Sequence, residues 1–139
     1  MYLIDTNVVS EVRKGNRADQ GVAAFFSRMA VTGDPVYLSV VTVGELRRGI
    51  EIVRHRGDSA QALRLEAWLQ TVLHDYGPNV LDFGSDAAQV WGRLRVPDPS
   101  HELDKQIAAI ALVNDLTVVT RNTADFQGTG VKVVNPFLP

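Results

Sequence analysis

The sequence predicts an α/β fold built on a mostly parallel central sheet. Three observations lead there. Five short β-favouring runs are spread along the 139 residues, at 2–4, 36–38, 80–81, 117–119 and 131–134. Segments with apolar residues at helical spacing separate them. The first run, Tyr2-Leu3-Ile4, has no charged residue and fits a central strand covered on both faces. Periodicity does not fix the strand order.

A chain of 139 residues is expected to form a single domain, residues 1–139. Apolar residues make up 45%, enough for an ordinary globular core. The absence of cysteine excludes disulfides and thiolate zinc sites. It also suits a reducing compartment, so the expected location is cytoplasmic. The apolar start is too short for a signal peptide and has no basic flank. No run approaches the ~20 apolar residues needed to cross a bilayer, so no membrane partner is expected. The net charge of −2 gives no overall basic field. A nucleic-acid partner would therefore need a local basic patch or bound cations.

After the first strand, Asp5-Thr6-Asn7 leads into a helix with Val8, Val9 and Val12 on one face. A basic turn, Arg13 to Arg17, precedes a second helix striped by Val22, Phe25, Phe26 and Met29. Gly33-Asp34-Pro35 turns the chain into the second strand, which Ser39 closes. Thr42-Val43-Gly44-Glu45 opens a helix with Leu46, Ile50 and Val53 inward. Asp58 or Ser59 caps the next, striped by Ala62, Leu65, Leu69, Val72 and Leu73. Gly77-Pro78-Asn79 breaks it before the third strand. Ser85 then caps a helix carrying Ala88, Trp91 and Leu94. Beyond the stiff loop Pro97-Asp98-Pro99-Ser100 comes a helix with Leu103, Ile107, Ile110 and Ala111 inward. The fourth strand leaves through Thr120-Arg121-Asn122. Gly128 and Gly130 bracket a turn, and the fifth strand stops at Asn135-Pro136.

In open α/β sheets, ligands sit outside the carboxyl ends of the strands. Asp5 follows the first strand and is placed there. Glu45 near the start of the third helix and Asp104 near the start of the last are expected to reach the same place. Each has a plainer reading as well. Asp5 also reads as a helix N-cap. Glu45 completes a capping-box pattern, Thr42-x-x-Glu45. Asp104 suits a first turn through the helix dipole. The hydroxyls of Thr6, Ser39 and Thr120 end or follow strands and can bond local backbone. Asn122 reads as an N-cap, and Asp125 as a surface residue of a short helix. Trp68 and Trp91 lie on or beside helical stripes and read as core.

Convergence of these acids would call for a cation. Two carboxylates ~4 Å apart repel by about 4 kcal/mol at an effective dielectric near 20. An all-oxygen donor set favours Mg²⁺ or Mn²⁺. Such an ion activates water for attack on phosphorus and offsets phosphate charge. His55, His74 and His101 show no ligand spacing and read as surface residues. There is no Gly-rich phosphate loop and no Gly-x-Ser-x-Gly elbow.

Four pieces of the chain carry a family resemblance: Leu3-Ile4-Asp5-Thr6-Asn7, the stretch from Leu38 to Leu46, the stretch from Asp104 to Ala111, and Thr120-Arg121-Asn122 through Asp125-Phe126. Val134-Asn135-Pro136 follows them. In this order the chain resembles the PIN-domain ribonucleases, in particular VapC-type toxins of type II toxin–antitoxin pairs and their FitB-like branch. The resemblance implies a parallel sheet ordered 3-2-1-4-5. It implies Mg²⁺-dependent, or Mn²⁺-dependent, endonucleolytic cleavage of RNA by activated water. It also implies a homodimer, inhibition by a cognate VapB-like antitoxin, and contact with DNA only through that antitoxin. On matching positions it gives Asp5, Glu45 and Asp104 as catalytic, metal-holding acids, supported by Thr6, Asn7, Ser39 and Thr120. The fourth acid of the family falls at Asn122 or three residues on at Asp125, so one metal ion and two remain alternatives.

Two other classes compete. One is a PIN-like binding module that works within a DNA-bound toxin–antitoxin complex with little or no catalysis. The three intact acids argue against it. The other is a phospho-acceptor receiver domain. It lacks support here, because no paired acid follows the first strand and no Lys closes the last.

Overall fold

The computed structural model describes residues 1–139. Five strands form one sheet: β1 (Tyr2–Ile4), β2 (Val36–Ser39), β3 (Val80–Leu81), β4 (Thr117–Val119) and β5 (Val133–Val134). Their order is β3-β2-β1-β4-β5, and every pairing is parallel. The first strand made is thus the middle one. Leu3 pairs in register with Tyr37 on one side and Val118 on the other.

Alternation along β1 sends its side chains into two separate cores. Ile4 joins Val8, Val9, Val22, Phe25, Leu38, Ile50 and Leu69. That core is closed by α1 (Thr6–Val12), α2 (Gln20–Thr32), α3 (Val40–His55) and α4 (Ser59–Tyr76). Leu3 joins Ile107, Ala108, Ala111 and Phe126. There α5 (Ser85–Leu94) and α6 (Glu102–Val113) cover the sheet. Ala108, Ala109 and Ala111 are fully buried, and their small side chains let α6 lie close against the strands. The sequence's predicted alternation of strands and helices therefore holds, as does the strand order implied by the family. No helix is long and apolar enough to cross a membrane.

Several local expectations change. The third helix starts at Val40, not at Thr42: Ser39 is its N-cap, accepting the Thr42 N–H at 3.0 Å. Thr42-x-x-Glu45 is therefore no capping box, and Thr42 is fully buried inside the first turn. The β-branched Val40 and Val41 masked the boundary by extending the look of a strand. Leu103, predicted to be buried, is 48% exposed. The helix begins only after His101 takes a left-handed conformation (φ 57, ψ 47), which turns Leu103 outward. Gly84 rather than Ser85 occupies the N-cap of α5, with no side-chain bond, and Ala87 rather than Ala88 is its fully buried alanine. In β5 only Val133 and Val134 pair in register with β4. Asn122 precedes a short 3-10 turn (Thr123–Phe126) without capping it through its side chain.

The C-terminal tail packs back on the start of α2. Asp19 caps that helix through the Gly21 and Val22 N–H groups and also accepts the Leu138 N–H at 3.2 Å. Gly21 is required by this contact: a Cβ there would stand 2.2 Å from the Pro136 carbonyl oxygen.

Candidate metal centre

β1 and β4 both end at the carboxyl edge of the sheet, and each delivers polar side chains there. Asp5 caps α1 and is only 4% exposed. Its Oδ1 accepts the Thr6 N–H at 2.7 Å. Its Oδ2 accepts the Thr120 hydroxyl at 2.8 Å and the Asn7 amide at 3.2 Å. Asn7 in turn accepts the Arg121 N–H at 3.0 Å, so it ties the end of β4 to the start of α1. The N-cap reading of Asp5 thus holds, and the same carboxylate stands at the carboxyl edge of the sheet.

Glu45 reaches the edge from the second turn of α3. The Thr6 hydroxyl donates to its Oε1 at 3.1 Å and lies 3.2 Å from the Thr42 hydroxyl. Ser39 stands behind, 3.3 Å from Thr42 Oγ1. Ser39 therefore supports the site at one remove, through Thr42.

Asp104 projects from the first turn of α6, where its side chain is 28% exposed. The His101 ring nitrogen Nδ1 lies 3.8 Å from Asp104 Oδ2 and 4.0 Å from Asp125 Oδ1. One donor atom from each of these three residues falls within 4.8 Å of the others.

The carboxylates act on one another. Burial pushes the Asp5 carboxyl up; bonds from Thr120, Thr6 and Asn7 pull against it, and the Asp125 charge adds to the rise. Burial also raises Glu45, opposed by the Thr6 hydroxyl, assisted by the Asp5 charge and opposed again by the charge of Arg48. Asp104 is pushed up to about 6, first by burial and then by the charges of Asp5, Asp125 and Glu45. Asp104 thus feels all the other acids, and none of the four forms an ion pair with Lys or Arg. A like-charged group with no Lys or Arg paired to it takes up a proton or a cation. The donors are carboxylate oxygens with one imidazole at the margin, a set that fits Mg²⁺ or Mn²⁺.

The structure therefore joins Asp5, Thr6, Asn7, Glu45 and Thr120 in one hydrogen-bonded group and sets Asp104 and Asp125 with His101 in a second, near enough for the charges of the two groups to act on one another. It does not bring in the Asn122 side chain, which is exposed; only the Asn122 N–H takes part, donating to Thr120 Oγ1 at 3.0 Å. Of the two positions for a fourth acid, Asp125 is the one beside the others. Two residues of the edge escaped the sequence reading. His101 is exposed, as predicted, but its ring stands against two of the acids; its spacing of three from Asp104 was the available signal. Thr42 looked like a cap, and only its burial inside the helix reveals the link between Thr6 and Ser39.

Known proteins share this arrangement of sequence and fold. A family model for the PIN domain matches residues 2–131. The chain is 33% identical over 144 residues to Toxin FitB of Neisseria gonorrhoeae, covering 99% of each. It is 31% identical over 145 residues to VapC ribonuclease Y4jK of Sinorhizobium fredii, covering 100% of this chain and 99% of that protein. A solved structure of FitAB bound to an IR36 DNA fragment superposes with a TM-score of 0.79 at 30% identity, covering 100% of this chain and 97% of that one. With a matching family model and relatives that align end to end, the chain belongs to the PIN-domain family, among the VapC/FitB-type toxins of toxin–antitoxin systems.

Proposed function

We propose that this protein is a Mg²⁺-dependent endoribonuclease toxin held inactive by a cognate antitoxin. The observation that carries the reading is the field at Asp104. Asp5, Glu45 and Asp125 all raise its carboxyl, and no Lys or Arg side chain pairs with any of the four. The relative named as a VapC ribonuclease supports the choice of RNA as substrate.

Asp5, Glu45 and Asp104 would hold the cation, with Asp125 adding charge from the α6 side. A bound Mg²⁺ or Mn²⁺ supplies Lewis-acid charge to a phosphoryl oxygen and makes water a better nucleophile at neutral pH. The chain's own part is to fix the donors. Thr120, Asn7 and the Thr6 N–H hold the Asp5 carboxylate on both oxygens. The Thr6 hydroxyl holds Glu45 and ties α3 to α1. Such outer partners orient ligands before the substrate arrives.

The test is cleavage of RNA by the purified protein in Mg²⁺, in EDTA, and as Asp5→Asn. Calorimetric titration with Mn²⁺ of wild type and Asp5→Asn measures the ion site independently of turnover. Cleavage that persists in EDTA, or at full rate in Asp5→Asn, overturns the reading. A tight inactive complex with the product of the adjoining reading frame, and a homodimer in solution, are the expected assemblies.

A second reading has one observation behind it, the close superposition on FitAB bound to a DNA fragment. A protein that works within a DNA-bound complex without cutting RNA would bind Mn²⁺ weakly and show no metal-dependent cleavage.

A further inference from the structure

Lys105 sits on α6 one residue beyond Asp104 and is 7% exposed. A buried ammonium is costly unless it is paired. Its Nζ donates to the Asp98 carbonyl oxygen but forms no ion pair with any carboxylate. An ammonium has three donors, so two remain without a partner inside the protein.

Lys105 lines a cavity of about 380 Å³ between the 96–98 loop and the 3-10 turn after β4. Pro97, Asp98, His101, Ala124, Asp125 and Gln127 are among its walls. Two of these, His101 and Asp125, also stand at the acidic centre. The cavity and the centre are therefore contiguous. One end of this continuous site carries negative charge that suits a cation, and the other carries an ammonium that acts on the Asp98 carboxylate through space but forms no ion pair with it, leaving donors that suit an anion. A polynucleotide meets both ends at once, one phosphate beside the cation and a neighbouring phosphate on the ammonium. The volume lies toward the small end of ligand sites, which run from roughly 300 to 1,000 Å³. That size suits one nucleotide rather than a duplex. Pro97 offers an apolar face and Gln127 an amide to the sugar or base.

We propose that this cavity seats the nucleotide next to the scissile bond, with Lys105 Nζ donating to its phosphate. The inference rests on the ribonuclease reading above and adds a substrate-binding residue to it.

The experiment is fluorescence anisotropy with a labelled, uncleavable 2′-O-methyl RNA decamer in Mg²⁺, at several salt concentrations. Lys105→Met keeps the buried methylene packing and removes the charge. It should weaken binding about tenfold, the size of one charge-assisted hydrogen bond. The slope of log affinity against log salt should become shallower by about 0.7, the loss of one phosphate contact on a single strand. Lys105→Arg should retain both values. Ala124→Glu fills and charges the mouth of the cavity from an exposed position without touching α6, and should match the loss in Lys105→Met. Mn²⁺ affinity by calorimetry should not fall in either variant at position 105.

Wild-type affinity and salt slope in folded Lys105→Met, or in Ala124→Glu, overturn the proposal. If Lys105→Met does not fold, Ala124→Glu decides alone. Unchanged RNA binding with a loosened antitoxin complex would assign the ammonium to an acidic partner side chain, and overturns it too. Failure of the wild type to bind or cleave RNA removes the ribonuclease reading itself. Cleavage by wild type with indifferent variants removes only the subsite.

Discussion

The Thr120 hydroxyl donates to Asp5 Oδ2 at 2.8 Å, joining residues 115 apart in the sequence. The bond is buried, lies across the paired ends of β1 and β4, and opposes the effect of burial on the Asp5 carboxyl. Thr120→Val keeps the shape and removes the donor. The Asp5 carboxyl should then rise further and release a cation more readily. The expected loss in Mn²⁺ affinity by calorimetry is about tenfold or somewhat more, the usual effect of removing an outer partner of a ligand. An unchanged titration would mean that the Thr6 N–H and Asn7 alone orient Asp5.

Asp104 yields a prediction in two directions. Outer partners already account for about 10–100-fold, so loss of a proposed ligand should lower RNA cleavage by roughly a hundredfold or more in Asp104→Asn. Stability should move the other way. The Asp104 carboxyl is held at about 6, above its ordinary 3.8, so the folded state favours the proton. That contribution is present below about pH 4 and is lost as the pH rises through about 6. Asp5 and Glu45 are raised and act with the same sign. In EDTA, the wild-type Tm should therefore fall between about pH 5 and about pH 7, the range in which the raised acids lose their protons. Asp104→Asn should flatten the fall. A wild-type Tm that rises across the same range would contradict the assigned direction. Glu66, pulled down to about 2 by its bonds from Arg47 and Arg54, acts only at lower pH.

Asp125 and Asn122 separate in the structure and should separate in solution. Asp125 contributes charge at both Asp5 and Asp104, whereas the Asn122 side chain is exposed. Asp125→Asn should raise the Mg²⁺ concentration for half-maximal cleavage several-fold, since a charge at short range contributes a few kcal/mol at most in a partly solvated site. Asn122→Asp should lower it, and by a smaller factor. Superimposable curves of rate against Mg²⁺ for all three proteins would leave the centre with three acids.

Gly21→Ala tests the packing of the tail. The added Cβ would meet the Pro136 carbonyl 2.2 Å away, and that oxygen belongs to backbone. Either α2 shifts or residues 136–139 lift off and release the Leu138 bond to Asp19. Thermal unfolding should show a loss of about 1–3 kcal/mol, the range for overpacked sites. Acidic-centre properties should stay unchanged, since the atoms around Gly21 belong to Asp19, Pro136 and Leu138 and not to any donor of the centre. A wild-type Tm would show that the tail contributes nothing to the fold.

Much of this protein was legible because its strands are short apolar runs that end directly in polar residues. Asp5 could be placed at a strand end from Tyr2-Leu3-Ile4 alone, and Asp104 from the alanines that follow it on α6. What stayed hidden depends on backbone conformation. The left-handed His101 sets where α6 begins, and so turns Leu103 outward while its own ring meets Asp104 and Asp125. Nothing in the residue type announces that conformation, since a non-glycine residue rarely adopts it. Ser39 lost its capping role to Thr42 in the sequence reading because Val40 and Val41 carry strand propensity into a helix. Lys105 was invisible for a different reason. A lysine beside a helix start is ordinarily solvated, and only the fold of the 96–98 loop buries it.

The position of β1 has a consequence for how the protein is made. The strand synthesised first needs β4 as a neighbour, and Asp5 needs Thr120. Asp104 and Asp125 also come from the last third of the chain. A ribosome that stalls or terminates before Thr117 therefore releases a polypeptide with an incomplete sheet and only part of the acid cluster. The toxic activity of the chain is therefore expected only once translation is almost finished. Truncations ending before Thr117 should be tolerated without antitoxin by cells whose growth the full chain arrests, and growth arrest by such a fragment would show that the centre forms without β4.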